Sequence, residues 1–227
     1  MLSSKGQDQF AVSVIRRPEE MPTSTERFGR ALLENAVDFG IELRPDKIKR
    51  LSDYYDLLLK WNDKLHLVAP CSPEEFAKRH VLESLALLPH LTANARILDV
   101  GSGAGLPILP CLISRDDLRA TLFESSPKKA VFLREALRNA NRRELARVTI
   151  ARFEETVAPE AEFVTCRALD QFQRLLPTLI DWAPGGSTLL IFAGADLRRR
   201  IQGRLAGAKA CSIPRSERRF LVSVRKI

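Results

Sequence analysis

From residue 96 onward, short apolar runs alternate with amphipathic stretches, and that alternation predicts a parallel sheet covered by helices on both faces. Strand-like runs fall at 96–100, 119–123, 147–151, 162–166 and 187–193, with helical patterns near 106–114, 127–140, 170–181 and 195–205. The ending differs. Lys209 to Ile213 and Phe220 to Arg225 are joined by the polar turn around Pro214-Arg215-Ser216-Glu217, a link too short for a crossover, so the two runs must pair antiparallel. The expected architecture is a Rossmann-like α/β domain with a seven-stranded, mostly parallel sheet and a terminal antiparallel hairpin.

Ahead of residue 96 the period is helical. Phe28, Ala31, Leu32, Ala36 and Phe39 share one face, and Gly40 suits a C-terminal cap. Pro45 opens a second helix that aligns Ile48, Leu51, Tyr54, Tyr55, Leu58 and Trp61. Ser72 and Glu75, with Pro73 between them, form a capping-box signature for a third helix running through His80 to about Leu88. Residues 1–23 are rich in Ser, Gln, Thr and Pro without steady periodicity and read as a mobile extension. The expected organisation is therefore an extension over 1–23, a helical subdomain over 24–92 and the α/β domain over 93–227.

Chemistry concentrates at the first strand's exit. In Ile97-Leu98-Asp99-Val100-Gly101-Ser102-Gly103-Ala104-Gly105-Leu106-Pro107 an apolar strand runs into a three-glycine turn with a carboxylate just ahead of it. Glycines such as Gly101 and Gly103 let backbone approach a ligand closely. Asp99 would repel a pyrophosphate, and Leu106 stands where a dinucleotide-binding loop has its third glycine. Both features favour S-adenosylmethionine, which carries an ammonium and a sulfonium and no phosphate. Glu124, at the end of the second strand, is placed to accept hydrogen bonds from ribose hydroxyls.

Further candidates follow the other strands. Ser126 and Pro127 start a helix whose first turn carries Lys128 and Lys129, against the helix dipole, which points to an RNA phosphate. Phe153 and Glu154 follow the third strand, where they would hold an adenine, beside Arg152. Arg167 follows the fourth strand and is expected to grip the donor's carboxylate or the acceptor base. Cys166, within an apolar strand, and His80, without a ligand-spaced partner, both read as packing residues.

The formal net charge is +8 over 227 residues, and the excess is local. Lys128, Lys129, Arg134, Arg138, Arg142, Arg143, Arg147 and Arg152 crowd one segment, and Arg198-Arg199-Arg200 with Arg204 form another. Such clustering suits a polyanion such as RNA. No apolar run reaches membrane-spanning length, and Phe10 to Ile15 lies between Asp8 and Arg16-Arg17, the reverse of a signal peptide's order. Cytoplasmic residence is expected. The cysteines at 71, 111, 166 and 211 have neither zinc-ligand nor disulfide-framework spacing, so no metal is expected.

Taken together, Lys60-Trp61-Asn62, Arg79-His80-Val81-Leu82-Glu83-Ser84, the loop from Asp99 to Pro107, Lys128-Lys129 with Phe132-Leu133, and Cys166-Arg167-Ala168 resemble the small-subunit ribosomal RNA guanine-N7 methyltransferases, also called glucose-inhibited division protein B. The resemblance runs from about residue 26 to the C-terminus. It implies a class I S-adenosylmethionine-dependent methyltransferase fold with an N-terminal helical cap, acting on a guanine of 16S ribosomal RNA or of the small subunit; a monomer is expected. It also implies donor contacts at Gly101, Leu106, Glu124, Ser125, Ser126, Phe153, Glu154 and Arg167. The chain departs from the family pattern at Ile108, at His66-Leu67-Val68, and at Ala193, where the family carries lysine. Guanine N7 attacks through a lone pair and needs no general base, so Arg152 and Arg167, which would position the base, stand nearest to catalytic groups. Another class I methyltransferase, acting on a different RNA base or on protein, or an RNA-binding member without turnover, are the competing expectations.

Overall fold

A computed structural model of the chain describes residues 21–167 and 172–226. Most of the expected extension over 1–23 lies outside the described residues, as do Ala168 of the Cys166-Arg167-Ala168 motif and the start of the helix expected from 170.

Seven strands, β1 (Arg96–Val100), β2 (Arg119–Phe123), β3 (Ala146–Thr149), β4 (Phe163–Cys166), β5 (Thr188–Gly194), β6 (Lys209–Ser212) and β7 (Arg219–Arg225), form one sheet in the order β3-β2-β1-β4-β5-β7-β6. β1 to β5 pair in parallel, while β7 runs antiparallel between β5 and β6. This is the expected topology. The order reverses beside β1, so the carboxyl ends of β1 and β4 flank the crevice where open α/β sheets bind ligands.

Strand alternation divides the apolar residues between two faces. Ile97 faces a core cluster that also takes in the N-terminal helices, whereas Leu98 and Val100 face a second cluster. The first is closed by α5 (Ile108–Ser114) and α6 (Pro127–Asn139), the second by α7 (Phe172–Trp182) and α8 (Ala195–Arg204). The helical cap is thus continuous with the sheet core and shares its apolar interior.

The cap consists of α1 (Ser24–Asn35), α2 (Pro45–Leu65) and a composite third helix. Thr23 and Glu26 close a capping box on α1, Gly40 ends its trailing turn at φ 66°, and Phe28, Tyr55 and Phe76 stack into an aromatic centre. The third helix departs from expectation. Ser72 caps α3 (Pro73–Phe76), but Ala77–Leu82 is a π-helix before α4 (Glu83–Leu85) resumes. Apolar periodicity alone does not distinguish the wide turn from an α-helical one. The wider turn presents the main-chain oxygens of Arg79 and His80 to Arg167, 88 and 87 residues away in sequence.

Candidate active site

A cavity of about 540 Å³ opens at the carboxyl ends of β1, β2 and β4. Gly101, Gly103, Leu106, Glu124, Ser125, Ser126, Phe153, Glu154, Arg152, Lys129 and Arg167 all line it. The tertiary structure therefore gathers nearly all of the residues singled out from sequence around one cavity.

The glycine loop explains its own composition. Gly101 and Gly103 have φ of 70° and 51°, in the left-handed region that residues with a Cβ rarely adopt. A Cβ built on Gly103 would meet nothing nearer than the Gly101 carbonyl oxygen at 3.7 Å, so the space beside it is open to the cavity. Gly105 has a different job, because a Cβ there would come within 3.0 Å of Leu109 in α5.

Glu124 sets the shape of this wall. One carboxylate oxygen accepts from the Gly103 N–H at 2.8 Å, the other from the Ser126 N–H at 2.8 Å. These two bonds lock the first loop to the second and leave each oxygen a lone pair for further donors. Ser126 in turn caps α6 through the Lys129 N–H. Opposite, Phe153 is buried against Trp182, which also packs on Phe123, so the far wall is an aromatic block with Ala151, Arg152 and Glu154 at its edge.

Asp99 sits elsewhere than its expected contact with the donor requires. Its side chain is wholly buried beneath the loop and does not line the cavity; one oxygen accepts from the Thr165 hydroxyl at 2.7 Å, and the other has no partner among the described residues. Burial pushes its carboxyl up to about 6, against the pull of the nearby Ser102 and Thr165 hydroxyls. Alternation along β1 is the reason: Asp99 shares a face with Ile97 and points toward the cap.

Arg167 lines the cavity, yet its guanidinium is already occupied. Nη2 donates to the Arg79 carbonyl at 2.6 Å and pairs with Glu83 at 3.3 Å, while Nη1 donates to the His80 carbonyl and the Ser84 hydroxyl at 3.2 and 3.1 Å. Glu83, only 3% exposed, also pairs with Arg219 at 2.7 Å. Burial raises the Glu83 carboxyl pKa while the Arg167 and Arg219 charges pull it down. The network explains the Arg79-His80-Val81-Leu82-Glu83-Ser84 motif, whose main chain and side chains receive an arginine delivered by β4.

Other residues that sequence reasoning left out of the site also reach it. Leu67, Val68, His80 and Arg174 line the cavity. Asn62 holds the first two in place, donating to the Val68 carbonyl at 3.1 Å and accepting from its N–H at 2.9 Å. Tyr54 donates to the Ala104 carbonyl at 2.7 Å and so ties the cap directly to the glycine loop. Burial and the neighbouring charges of Arg167 and Arg79 lower the His80 pKa to about 4, leaving a neutral imidazole on the cavity wall. No sequence period marks these contacts: Tyr54 crosses from the cap to the glycine loop, and the Asn62–Val68 pair is a loop closure outside any helix or strand repeat.

The basic segment divides in two. Arg142 is buried, donates to the Leu112 carbonyl at 2.7 Å and pairs with Asp116, which also takes Lys47 at 2.8 Å. A guanidinium so enclosed is closed to a phosphate. Lys128, Arg134, Arg138, Arg143 and Arg147 are exposed, and Lys129 stands at the cavity rim. In the second cluster Arg198 lies over the Phe220 ring at 4.1 Å and Arg199 pairs with Asp196.

Among the described residues no helix is long and apolar enough to cross a membrane, and no cluster of three or more His, Cys, Asp or Glu side chains is arranged to hold a metal ion. The fold is similar to that of an RNA methyltransferase from Salinibacter ruber solved with S-adenosyl-L-homocysteine, with a TM-score of 0.52 and 19% identity over 70% of this chain and 93% of that one. An O-methyltransferase from Bacillus cereus matches with a TM-score of 0.56 and 16% identity, over 89% of this chain and all of that one. Closer in sequence are the ribosomal RNA small subunit methyltransferases G of Xanthomonas axonopodis pv. citri, 37% identical over 76% of this chain and 84% of that protein, and of Anaeromyxobacter dehalogenans, 34% identical over 76% and 81%. The model of the GidB family, rRNA small subunit methyltransferase G, matches residues 47–224. A class I methyltransferase sheet, a cavity at its switch point and this run of sequence agreement from cap to final strand establish that the chain belongs to the rRNA small subunit methyltransferase G family.

Proposed function

We propose that this chain transfers the methyl group of S-adenosylmethionine to N7 of a guanine in 16S ribosomal RNA, in the cytoplasm. The observation that carries the donor assignment is the Glu124 carboxylate, fixed by the Gly103 and Ser126 amides with lone pairs left on the cavity wall. It suits the ribose hydroxyls of an adenosyl group and would repel a phosphate. Gly101 and Gly103 leave room for the methionine portion, and Phe153 with Glu154 would hold the adenine. S-adenosylmethionine supplies an electrophilic methyl on a positively charged sulfur.

The chain's own contribution is alignment. The N7 lone pair forms the new carbon–nitrogen bond as the sulfur–carbon bond breaks, its electron pair stays on sulfur, and no proton has to move. Holding the reacting atoms in line is worth up to roughly 7–11 kcal/mol. A neutral His80 fits this task, because an imidazolium beside a cationic donor would be repelled. Arg152 and Lys129 at the rim, with the exposed Lys128 beside them, would take RNA phosphates and present a base turned out of its stack.

The test is calorimetric binding of S-adenosylhomocysteine, followed by transfer of labelled methyl to small subunits purified from a strain lacking the gene. Label in 16S RNA that becomes a strand break after borohydride and aniline treatment supports N7 of guanine. Donor binding with no transfer, or label at another atom, overturns the acceptor assignment.

A further inference from the structure

A second cavity, of about 300 Å³, lies on the other side of Arg167, at the carboxyl end of β5. Glu83, Phe192, Gly194 and Arg219 line it, and Arg167 is common to both cavities. Its contents are unusual for a space so near the core: a buried carboxylate, an aromatic ring and an arginine only one-third exposed. The register explains how they meet. Gly194 pairs with Arg219 across the antiparallel β5–β7 ladder, so the final strand delivers a cation to the end of β5.

The two arginines around Glu83 differ in their freedom. Arg167 donates to two main-chain oxygens, a hydroxyl and Glu83. Arg219 gives Nε to the Ser216 hydroxyl at 3.1 Å and forms an ion pair with Glu83 through Nη2 at 2.7 Å, which leaves most of its donors uncommitted among the described residues. Glu83 accepts a hydrogen bond from Arg167 on one oxygen and forms an ion pair with Arg219 through the other, and a carboxylate has about four lone-pair sites. Acceptor and donor capacity therefore stand side by side in the cavity.

That pairing suits the Watson–Crick edge of guanine best, because a carboxylate can accept from two adjacent donors and uracil offers only one, at N3–H. Guanine's Watson–Crick edge presents N1–H and N2–H donors next to the O6 acceptor, whereas adenine offers an acceptor at N1 and a donor at N6. Resting on the acceptor reading above, we propose that this second cavity is the acceptor-base pocket, with Glu83 accepting from guanine N1–H and N2–H, Arg219 donating to O6, and Phe192 covering the base. A guanine held by that edge leaves N7 on the adjoining Hoogsteen edge, next to O6, so N7 stays available as long as Arg219 donates to O6 alone. Methylation leaves a positive charge on the base, and the Glu83 carboxylate offsets it.

Two experiments decide the matter. In the first, Arg219→Gln and Arg219→Lys are compared with the unaltered chain for S-adenosylhomocysteine affinity, thermal unfolding, and single-turnover methyl transfer to unmethylated small subunits. Arg219→Gln should lose tenfold or more in transfer with donor affinity held within threefold, and Arg219→Lys should recover part of the rate. Transfer by Arg219→Gln at the unaltered rate overturns the proposal, as does a parallel loss of donor affinity and stability with no selective loss of transfer. In the second, 6-thioguanosine monophosphate is photocrosslinked to the protein saturated with S-adenosylhomocysteine, and the adducts are mapped by mass spectrometry. Adducts on the segments containing Phe192 or Arg219 support the pocket; adducts elsewhere, or none, overturn it. The crosslink does not depend on turnover, so inactivity of the unaltered chain on small subunits would refute the acceptor reading without deciding the pocket.

Discussion

The two sides of the cavity at the carboxyl ends of β1 and β4 are built by different means. On the β1–β2 side, Gly101, Gly103, Glu124 and Ser126 hold one another through main-chain amides within 25 residues of sequence. On the cap side, Arg167 reaches back more than 80 residues to the Arg79 and His80 carbonyls, Ser84 and Glu83, and Tyr54 reaches forward 50 residues to Ala104. The first wall is a local conformation fixed by residue type. The second exists only when the cap is docked. Damage to the first should therefore be read in donor affinity, and damage to the second in the stability of the whole chain.

Arg167→Ala is the most severe way to test that distinction. It strips one partner from a buried carboxylate and removes the guanidinium donor from two carbonyls of the π-helical turn, a loss on the order of 3–5 kcal/mol. Urea unfolding should show it, and donor affinity should fall with it as the cap loosens. A variant that folds normally but binds no donor would assign Arg167 to the donor alone and erase the contrast between the walls.

Asp99 tests the layer beneath the loop. Its folded pKa of about 6 lies above the ordinary value of 3.8, so the folded chain holds this proton more tightly than the unfolded one. The resulting stabilisation is complete below about pH 4 and is lost as pH rises through about 6. Asp99→Asn should raise stability at pH 8 by up to about 3 kcal/mol and flatten that slope. An unchanged pH dependence of unfolding would mean that the carboxyl is less enclosed than its burial indicates.

Glu124→Ala should act on the first wall alone. Losing a charged acceptor for two amides and the ribose hydroxyls should weaken S-adenosylhomocysteine binding by roughly 1.5–3 kcal/mol in calorimetry, with a smaller change in unfolding. Gly103→Ala forces a Cβ into a left-handed conformation, which should cost roughly 1–2 kcal/mol in unfolding, and because that Cβ stands in the open space of the cavity it should lower donor affinity as well. If either change instead unfolds the chain as strongly as Arg167→Ala, the two walls are not separable.

The smallest effect concerns the rim. Charge reversal of Lys128 and Lys129 should lower the salt slope of small-subunit binding by roughly one unit for each phosphate no longer neutralised, leaving donor affinity nearly intact. Lys129 lines the cavity and Lys128 is exposed to solvent, so Lys129→Glu should have the greater influence on transfer. Equal and negligible effects would return both lysines to ordinary solvated charges.

The sequence by itself determined the sheet, the direction of its last two strands and the first wall of the site. Each of these rests on short-range rules: period-two and period-3.6 burial, glycine at positive φ, a serine cap, and a hairpin too short to cross over. Only the tertiary structure decided which charges serve the fold and which face the ligand. Arg142 and Lys128 look alike in sequence, yet one is buried and pairs with Asp116 and the other meets solvent. Asp99 and Glu124 both end strands beside the loop, but only Glu124 faces the cavity, since strand alternation turns Asp99 toward the cap. The π-helical turn, the partners of Arg167 and the second cavity with Arg219 arise where helix and sheet meet across the sequence. Local propensity carries no information about such contacts, because their energy comes from groups that are neighbours only after folding.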